Sequence, residues 1–241
     1  MKRISLTGFV AAMLFALTLT VYAQETSVAL IPQDRNKEDW WKNRFVEKVE
    51  QMKKGDIDLL LIGDSITHGW EGHKQIWDKF YADRKTLNFG FSGDRTEHVL
   101  WRLDNAPMDA IHPKAITIMI GTNNIGHGSS QPKDAADGVL AIVQKLQKLY
   151  PDAKIFVLYV FPRDEKPDGR LRAKVNEINA YLPKLLANLN NVVLVDIGYL
   201  FLQEDGTLPK SIMPDSLHPN DDGYVVWGNA VEPFLKPIFE K

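Results

Sequence analysis

The chain has 241 residues, 44% of them hydrophobic, enough for one sizeable core without a second domain. Its formal net charge is -2, with Lys and Arg dispersed along the sequence, which argues against a nucleic-acid surface built on a basic stripe. There is no cysteine, which excludes disulfides, thiolate catalysis, Cys-based zinc sites and a lipoprotein anchor.

Met1 to Ala23 reads as a secretory signal. Lys2 and Arg3 form its positive end, Ile4 to Leu19 is apolar, and Val21-Tyr22-Ala23 meets the small-residue rule at its last position. A spanning helix wants about 20 apolar residues, so this stretch is short for an uncleaved anchor. Cleavage near Ala23 is expected, leaving residues 24–241 as a single periplasmic or secreted domain with no stable membrane anchor.

Gln24 to Asp34 is a polar arm. Glu38 to Lys54 carries Trp41, Phe45, Val49 and Met52 at helical spacing and ends at Gly55. Ile57-Asp58-Leu59-Leu60-Leu61-Ile62 is a short β-prone run, predicted as a buried strand leading into Gly63-Asp64-Ser65. Gly63 is expected to allow a turn that a residue with a Cβ would resist. Gln75 to Phe80 suits a short helix.

Thr86 to Phe91 is a second strand running into Ser92-Gly93-Asp94, with Thr96 as a candidate cap for a helix carrying Val99, Leu100 and Leu103. Ala115 to Ile120 is a third strand, followed by Gly121-Thr122-Asn123-Asn124. A helix from about Lys133 to Tyr150 presents Val139, Ile142, Val143, Leu146 and Leu149 on one face. Lys154 to Val160 is a fourth strand. Next comes a helix from about Arg170 to Asn188, with Pro183 positioned to kink it. Asn191 to Asp196 is a fifth strand; Phe201 to Pro219 is loop-like, and Asp221 to Glu240 is a last helix.

Strand and helix thus alternate, and several strands are continuous apolar runs. That pattern predicts an α/β fold: a three-layer α/β/α sandwich of flavodoxin type, with a five-stranded parallel sheet and helices on both faces. Parallel strands share one carboxyl edge, so Ser65, Gly93 and Asn123, each just past a different strand, meet at one crevice. Asp215-Ser216-Leu217-His218 precedes the last helix and can reach the same edge. Pro219 restricts His218 to extended backbone, which suits a loop that projects its ring. On the first stretch alone, Ser65 or Thr67 equally suits a helix cap.

Taken together, the GDS stretch, Asn88-Phe89-Gly90-Phe91-Ser92-Gly93-Asp94, Gly121-Thr122-Asn123-Asn124 and the terminal D-x-x-H resemble the GDSL/SGNH hydrolases. Among them the chain is most similar to the catalytic subunits of type I platelet-activating-factor acetylhydrolase and their bacterial relatives; Leu87 to Leu103 strengthens that match. The resemblance implies Ser65 as nucleophile, His218 as general base and Asp215 as the carboxylate that orients it. It implies an oxyanion hole from the N–H groups of Ser65 and Gly93 and the side-chain amide of Asn123. Ser92 departs from the glycine that close relatives often carry there, which bears on the shape of the acyl pocket.

Asp64 and Asp94 are expected to bind backbone amides in their turns, without a catalytic role. The remaining histidines (His68, His73, His98, His112 and His127) show no metal-ligand spacing and are expected to be solvated or structural, with His127 at the pocket rim. Trp70 and Trp101 read as core. Neither cofactor nor metal is called for. The expected activity is hydrolysis of short-chain acyl esters, O-acetyl foremost, on a small-molecule or glycan substrate. The alternatives are a lysophospholipase or thioesterase, and a glycan-binding module without catalysis.

Overall fold

In the computed structural model, residues 26–240 are described; the predicted signal segment lies outside the described residues. The helices are α1 (Asp39–Met52), α2 (Ser65–His68), α3 (Lys74–Tyr81), α4 (Thr96–Asn105), α5 (Thr122–Gly126), α6 (Pro132–Leu149), α7 (Arg170–Leu186) and α8 (Asp221–Phe239). The strands are β1 (Leu59–Gly63), β2 (Thr86–Gly90), β3 (Ala115–Met119), β4 (Lys154–Leu158) and β5 (Val192–Val195). They form one five-stranded sheet in the order β2-β1-β3-β4-β5. Every pairing is parallel, with Gly63 opposite Gly90 and Met119 at the carboxyl edge.

The two faces of the sheet sort the side chains by alternation. Leu60 and Ile62 of β1, Ile116 and Ile118 of β3, and Ile155 and Val157 of β4 pack under α1, α4, α6 and α7. Leu59 and Leu61, Ala115 and Met119, and Phe156 and Leu158 face the opposite layer, where α3 and α8 contribute Phe80, Tyr224 and Trp227. Burial on both faces explains why these strands read as unbroken apolar runs. Trp70 lies in the second core, and Trp101 packs partly buried against the first.

Three local expectations need correction. Thr96 does not cap α4: it is the first helical residue, and its hydroxyl donates to the Ala29 carbonyl at 2.9 Å. Leu149, placed on the apolar face of α6, is 38% exposed because α6 ends there and Tyr150 turns inward instead. On α1 the inward face includes Arg44 and Lys48 beside Trp41 and Met52. Both cations are stabilised by Glu71, whose carboxylate accepts from Arg44 Nη1 at 2.7 Å and from Lys48 Nζ at 2.9 Å.

After β1 the chain turns to β2 on one side, then crosses to β3 on the other. The direction of winding therefore reverses about β1, and the loops after β1 and β3 part to leave a crevice at the carboxyl edge.

Candidate active site

Ser65 enters this crevice as the first residue of α2. A Cβ on Gly63 would lie 2.1 Å from Thr67 Oγ1 and 2.6 Å from the Met119 carbonyl oxygen, so no side chain fits there. Gly63 is needed for close approach of α2 to the sheet, not for an unusual backbone angle, which corrects the turn reading. Asp64 caps α2, its Oδ1 accepting from the Ile66 N–H at 3.0 Å. From the α8 side, the Tyr224 hydroxyl donates to the Ile66 carbonyl at 2.7 Å. Burial pushes the Asp64 carboxyl up to about 7, against the opposing pull of the Ile66 N–H and of His218.

Ser65 Oγ lies 2.7 Å from His218 Nε2. On the other side of that ring, His218 Nδ1 is 2.6 Å from Asp215 Oδ2. Asp215 Oδ1 meanwhile accepts the backbone N–H groups of Leu217 and His218, at 3.0 and 2.7 Å. Burial raises the Asp215 pKa, but the His218 ring and these two amides outweigh it and hold the carboxyl below its usual range. The turn is anchored from a distance. Ser216 adopts a left-handed φ of 59°, and its carbonyl accepts the Asp164 N–H at 3.0 Å. Asp164 is fixed in turn by α7, since its Oδ2 accepts the Leu171 N–H at 2.8 Å.

The loop after β2 brings Gly93 beside this chain with φ 75°, a left-handed value that suits glycine. Its N–H has no partner among the described residues. Asn123, at the start of α5, donates one Nδ2 hydrogen to the Asp94 carbonyl at 3.0 Å, leaving the second free. Asn124 is a structural neighbour: its Oδ1 accepts the Thr96 N–H at 3.1 Å and its Nδ2 donates to the buried Glu97 at 3.1 Å. The asparagine pair thereby ties the loop after β3 to the loop after β2. The Ser92 hydroxyl does not stand free in the crevice; it is bonded to His68 Nδ1 at 2.9 Å. Burial, helped by Arg44, lowers the His68 pKa to about 4, so that ring is neutral and bridges α2 to the loop.

Asp94 overturns its expected turn role. Its carboxylate accepts from Arg35 Nη1 at 2.9 Å, Trp41 Nε1 at 2.8 Å and Arg102 Nε at 2.8 Å. Arg102 goes on to donate to the carbonyls of Phe89 at 2.8 Å and Gly63 at 3.3 Å, while Arg35 donates to Ser92 at 2.7 Å. Burial raises the Asp94 pKa and lowers that of Arg102 to about 10, and their mutual attraction opposes both shifts. This wholly buried pair clamps the ends of β1 and β2 and the loop bearing Gly93. Its signal in the sequence was Arg102 lying three residues after Val99, on the face of α4 expected to be apolar. Arg163, next to the anchoring Asp164, was also missed; its Nη1 donates to the Thr122 carbonyl and hydroxyl at 3.1 Å. Among the other histidines, His127 and His98 border Gly93, whereas His73 meets Asp221 at the start of α8 and His112 precedes the amino end of β3.

The profile of the GDSL-like lipase/acylhydrolase family matches residues 61–226, a span that holds Ser65, Gly93, Asn123, Asp215 and His218. The chain belongs to that family. It is a carboxylic ester hydrolase, and this overturns the reading as a binding module without catalysis. Platelet-activating factor acetylhydrolase IB subunit alpha2 of Rattus norvegicus is 37% identical over 220 residues, 90% of this chain and 94% of its own. A GDSL-like lipase from Bacteroides thetaiotaomicron shares the fold with a TM-score of 0.66 at 18% identity, covering 81% of this chain and 97% of that one. So does the acetylxylan esterase Axe2 of Geobacillus stearothermophilus, with a TM-score of 0.59 at 16% identity, covering 78% and 97%.

Proposed function

We propose that this hydrolase is an exported serine esterase that removes short acyl groups, acetyl foremost, from polar alcohols such as O-acetylated carbohydrates. The observation that carries the mechanism is the 2.7 Å contact between Ser65 Oγ and His218 Nε2. His218 takes the hydroxyl proton as Oγ attacks the acyl carbon, and Asp215 holds Nδ1–H and offsets the imidazolium charge. The carbonyl oxygen becomes an oxyanion that accepts from the Ser65 and Gly93 N–H groups and from the free Nδ2 hydrogen of Asn123. As the intermediate collapses, the bond to the alcohol oxygen breaks and His218 returns its proton to the departing alcohol. Water then attacks the acyl-Ser65 ester with His218 again as base, which releases the carboxylic acid and restores the hydroxyl.

The acetyl preference is supported by the names of the relatives, an acetylhydrolase and an acetylxylan esterase. Export is supported by the Met1 to Ala23 segment alone. A second reading, an ester carried on a lipid, is favoured by the 37% identity to a protein named for platelet-activating factor. The test is a series of p-nitrophenyl esters from acetate and butyrate to decanoate, assayed with the wild type and with Ser65→Ala. Acetate should be the best substrate, and Ser65→Ala should lose on the order of 10⁴- to 10⁶-fold in kcat. A long-chain optimum would favour the lipid reading. Undiminished turnover by Ser65→Ala would rule out the mechanism.

A further inference from the structure

Beside Gly93 lies a cavity of about 490 Å³ whose lining contains no apolar side chain. The arm before α1 supplies one wall, with Lys37 exposed at its mouth. Arg95 and His98, on the other wall, are in an unusual relation. The Arg95 backbone N–H donates to His98 Nδ1 at 3.0 Å, which occupies the lone pair on that nitrogen. Burial, with Arg95 next in weight, lowers the His98 pKa to about 3, so the ring is neutral and its single hydrogen sits on Nε2. Yet Nε2 lies 3.2 Å from Arg95 Nη2, which also carries only hydrogens. Two donors therefore face each other with no acceptor between them, and His98 is 2% exposed.

The other groups of the lining are weighted the same way. Arg95 Nη1, the His127 ring and Lys37 Nζ have no hydrogen-bond partner among the described residues. Of the nearby carboxylates, the buried Glu97 pairs with Arg95 Nε, which leaves the two terminal Arg95 nitrogens facing the cavity, and the exposed Asp34 bonds through one oxygen only. Glu38 holds Arg35 through both oxygens, at 2.9 and 2.7 Å, and Asp34 accepts the Asn36 N–H at 2.9 Å. Hydrogen-bond donors, from the cations Arg95 and Lys37 and from the two imidazoles, are left over, next to the Gly93 N–H.

We infer that this cavity receives an oxyanion, a carboxylate or phosphate group, carried by the ester substrate and bound between Arg95 and His98 with Lys37 at the entrance. The inference rests on the esterase reading, because Gly93 borders both this cavity and the position proposed for the carbonyl oxygen. One anionic oxygen accepting from both Arg95 Nη2 and His98 Nε2 would satisfy the two facing donors. An alkyl chain would find no apolar wall here.

The test compares phenyl acetate, which is neutral, with 4-acetoxybenzoate and 4-acetoxyphenyl phosphate, which place the anion on the alcohol, and with monophenyl succinate, which places it on the acyl group. For at least one of these anionic esters kcat/KM should exceed that for phenyl acetate by about tenfold, chiefly through KM. Lys37→Glu should lower that ratio by about tenfold, and which ester is preferred identifies the anion and its side of the bond. Separately, Ser65→Ala protein titrated calorimetrically with inorganic phosphate and with malonate should bind one of them, more weakly once Lys37→Glu is added. Turnover of phenyl acetate with no preference for any anionic ester, or a ratio unmoved by Lys37→Glu, overturns the inference and leaves the esterase reading standing. If no ester is hydrolysed, the esterase reading fails, and the titration decides the cavity: silence with both anions overturns the inference.

Discussion

Asp215 holds His218 through both of its carboxylate oxygens, Oδ2 on the imidazole Nδ1 at 2.6 Å and Oδ1 on the residue's own backbone N–H at 2.7 Å. One side chain thus sets the position of the loop and the orientation of the ring it carries. The three-residue spacing makes this possible, because it lets the backbone fold over the carboxylate while the ring swings back to its far side.

Asp215→Asn separates the two roles. The amide oxygen can still accept the backbone N–H groups, but the charge beside the imidazole is gone and Nδ1 faces a mixed donor and acceptor. We expect kcat to fall by about 10³- to 10⁴-fold with the melting temperature close to that of the wild type. Steady-state kinetics with a thermal melt would check this, and a variant keeping a tenth of the activity would contradict it.

Asp64 makes stability depend on pH. Its carboxyl titrates at about 7 in the folded protein because burial disfavours the charge, well above the 3.8 usual for an aspartate. The native state then holds a proton that the unfolded chain has released, so stability is greatest below about pH 4 and declines as pH rises through 7. Asp64→Asn keeps an acceptor for the Ile66 N–H and removes the titration. The wild type should lose stability relative to this variant by up to about 1.4 kcal/mol per pH unit between pH 4 and 7. Urea midpoints of both proteins across pH 5 to 8 measure it; parallel curves would refute it.

Arg102→Leu should be costly even though the residue is remote from solvent and from the triad. It removes one partner of the buried Asp94 carboxylate and the side-chain donors to the Phe89 and Gly63 carbonyls. Breaking such a pair typically costs about 3–5 kcal/mol. The loop bearing Gly93 loses its clamp at the same time, so activity measured below the melting temperature should fall as well. Equilibrium denaturation with parallel assays would show both effects, and a loss under 1 kcal/mol would contradict the role given to the pair.

The strands, their order along the chain and the loops that carry chemistry were legible because they rest on local signals. A buried parallel strand has to be an apolar run, and a loop at its carboxyl end has to hold Gly, Ser, Asn or Asp. Ser65, Gly93 and Asn123 were placed at strand ends for that reason, and the first three motif blocks do fall there; the fourth lies just before α8, and the roles of Asp215 and His218 came from the family resemblance. Even so, the reason for Gly63 was hidden, since what excludes a Cβ is Thr67 together with the Met119 carbonyl of a strand more than fifty residues later.

Charge at buried positions was not legible. Arg35, Asp94 and Arg102 are ordinary surface-type residues until folding brings them together, with the Asp94 carboxylate between the two guanidinium groups and bonded to both. Nor could the sequence alone say which of five nearby donors would lack an acceptor beside Gly93. By itself the sequence determined the layers of the fold and which loops meet at the edge of the sheet, because alternation and strand direction are properties of single segments. Only the tertiary structure decided the 2.7 Å approach of Ser65 to His218, the buried clamp beneath the loop and the facing donors of Arg95 and His98. Those are relations between segments distant in the chain or between opposed side-chain atoms, and distance and direction in space have no counterpart in residue order.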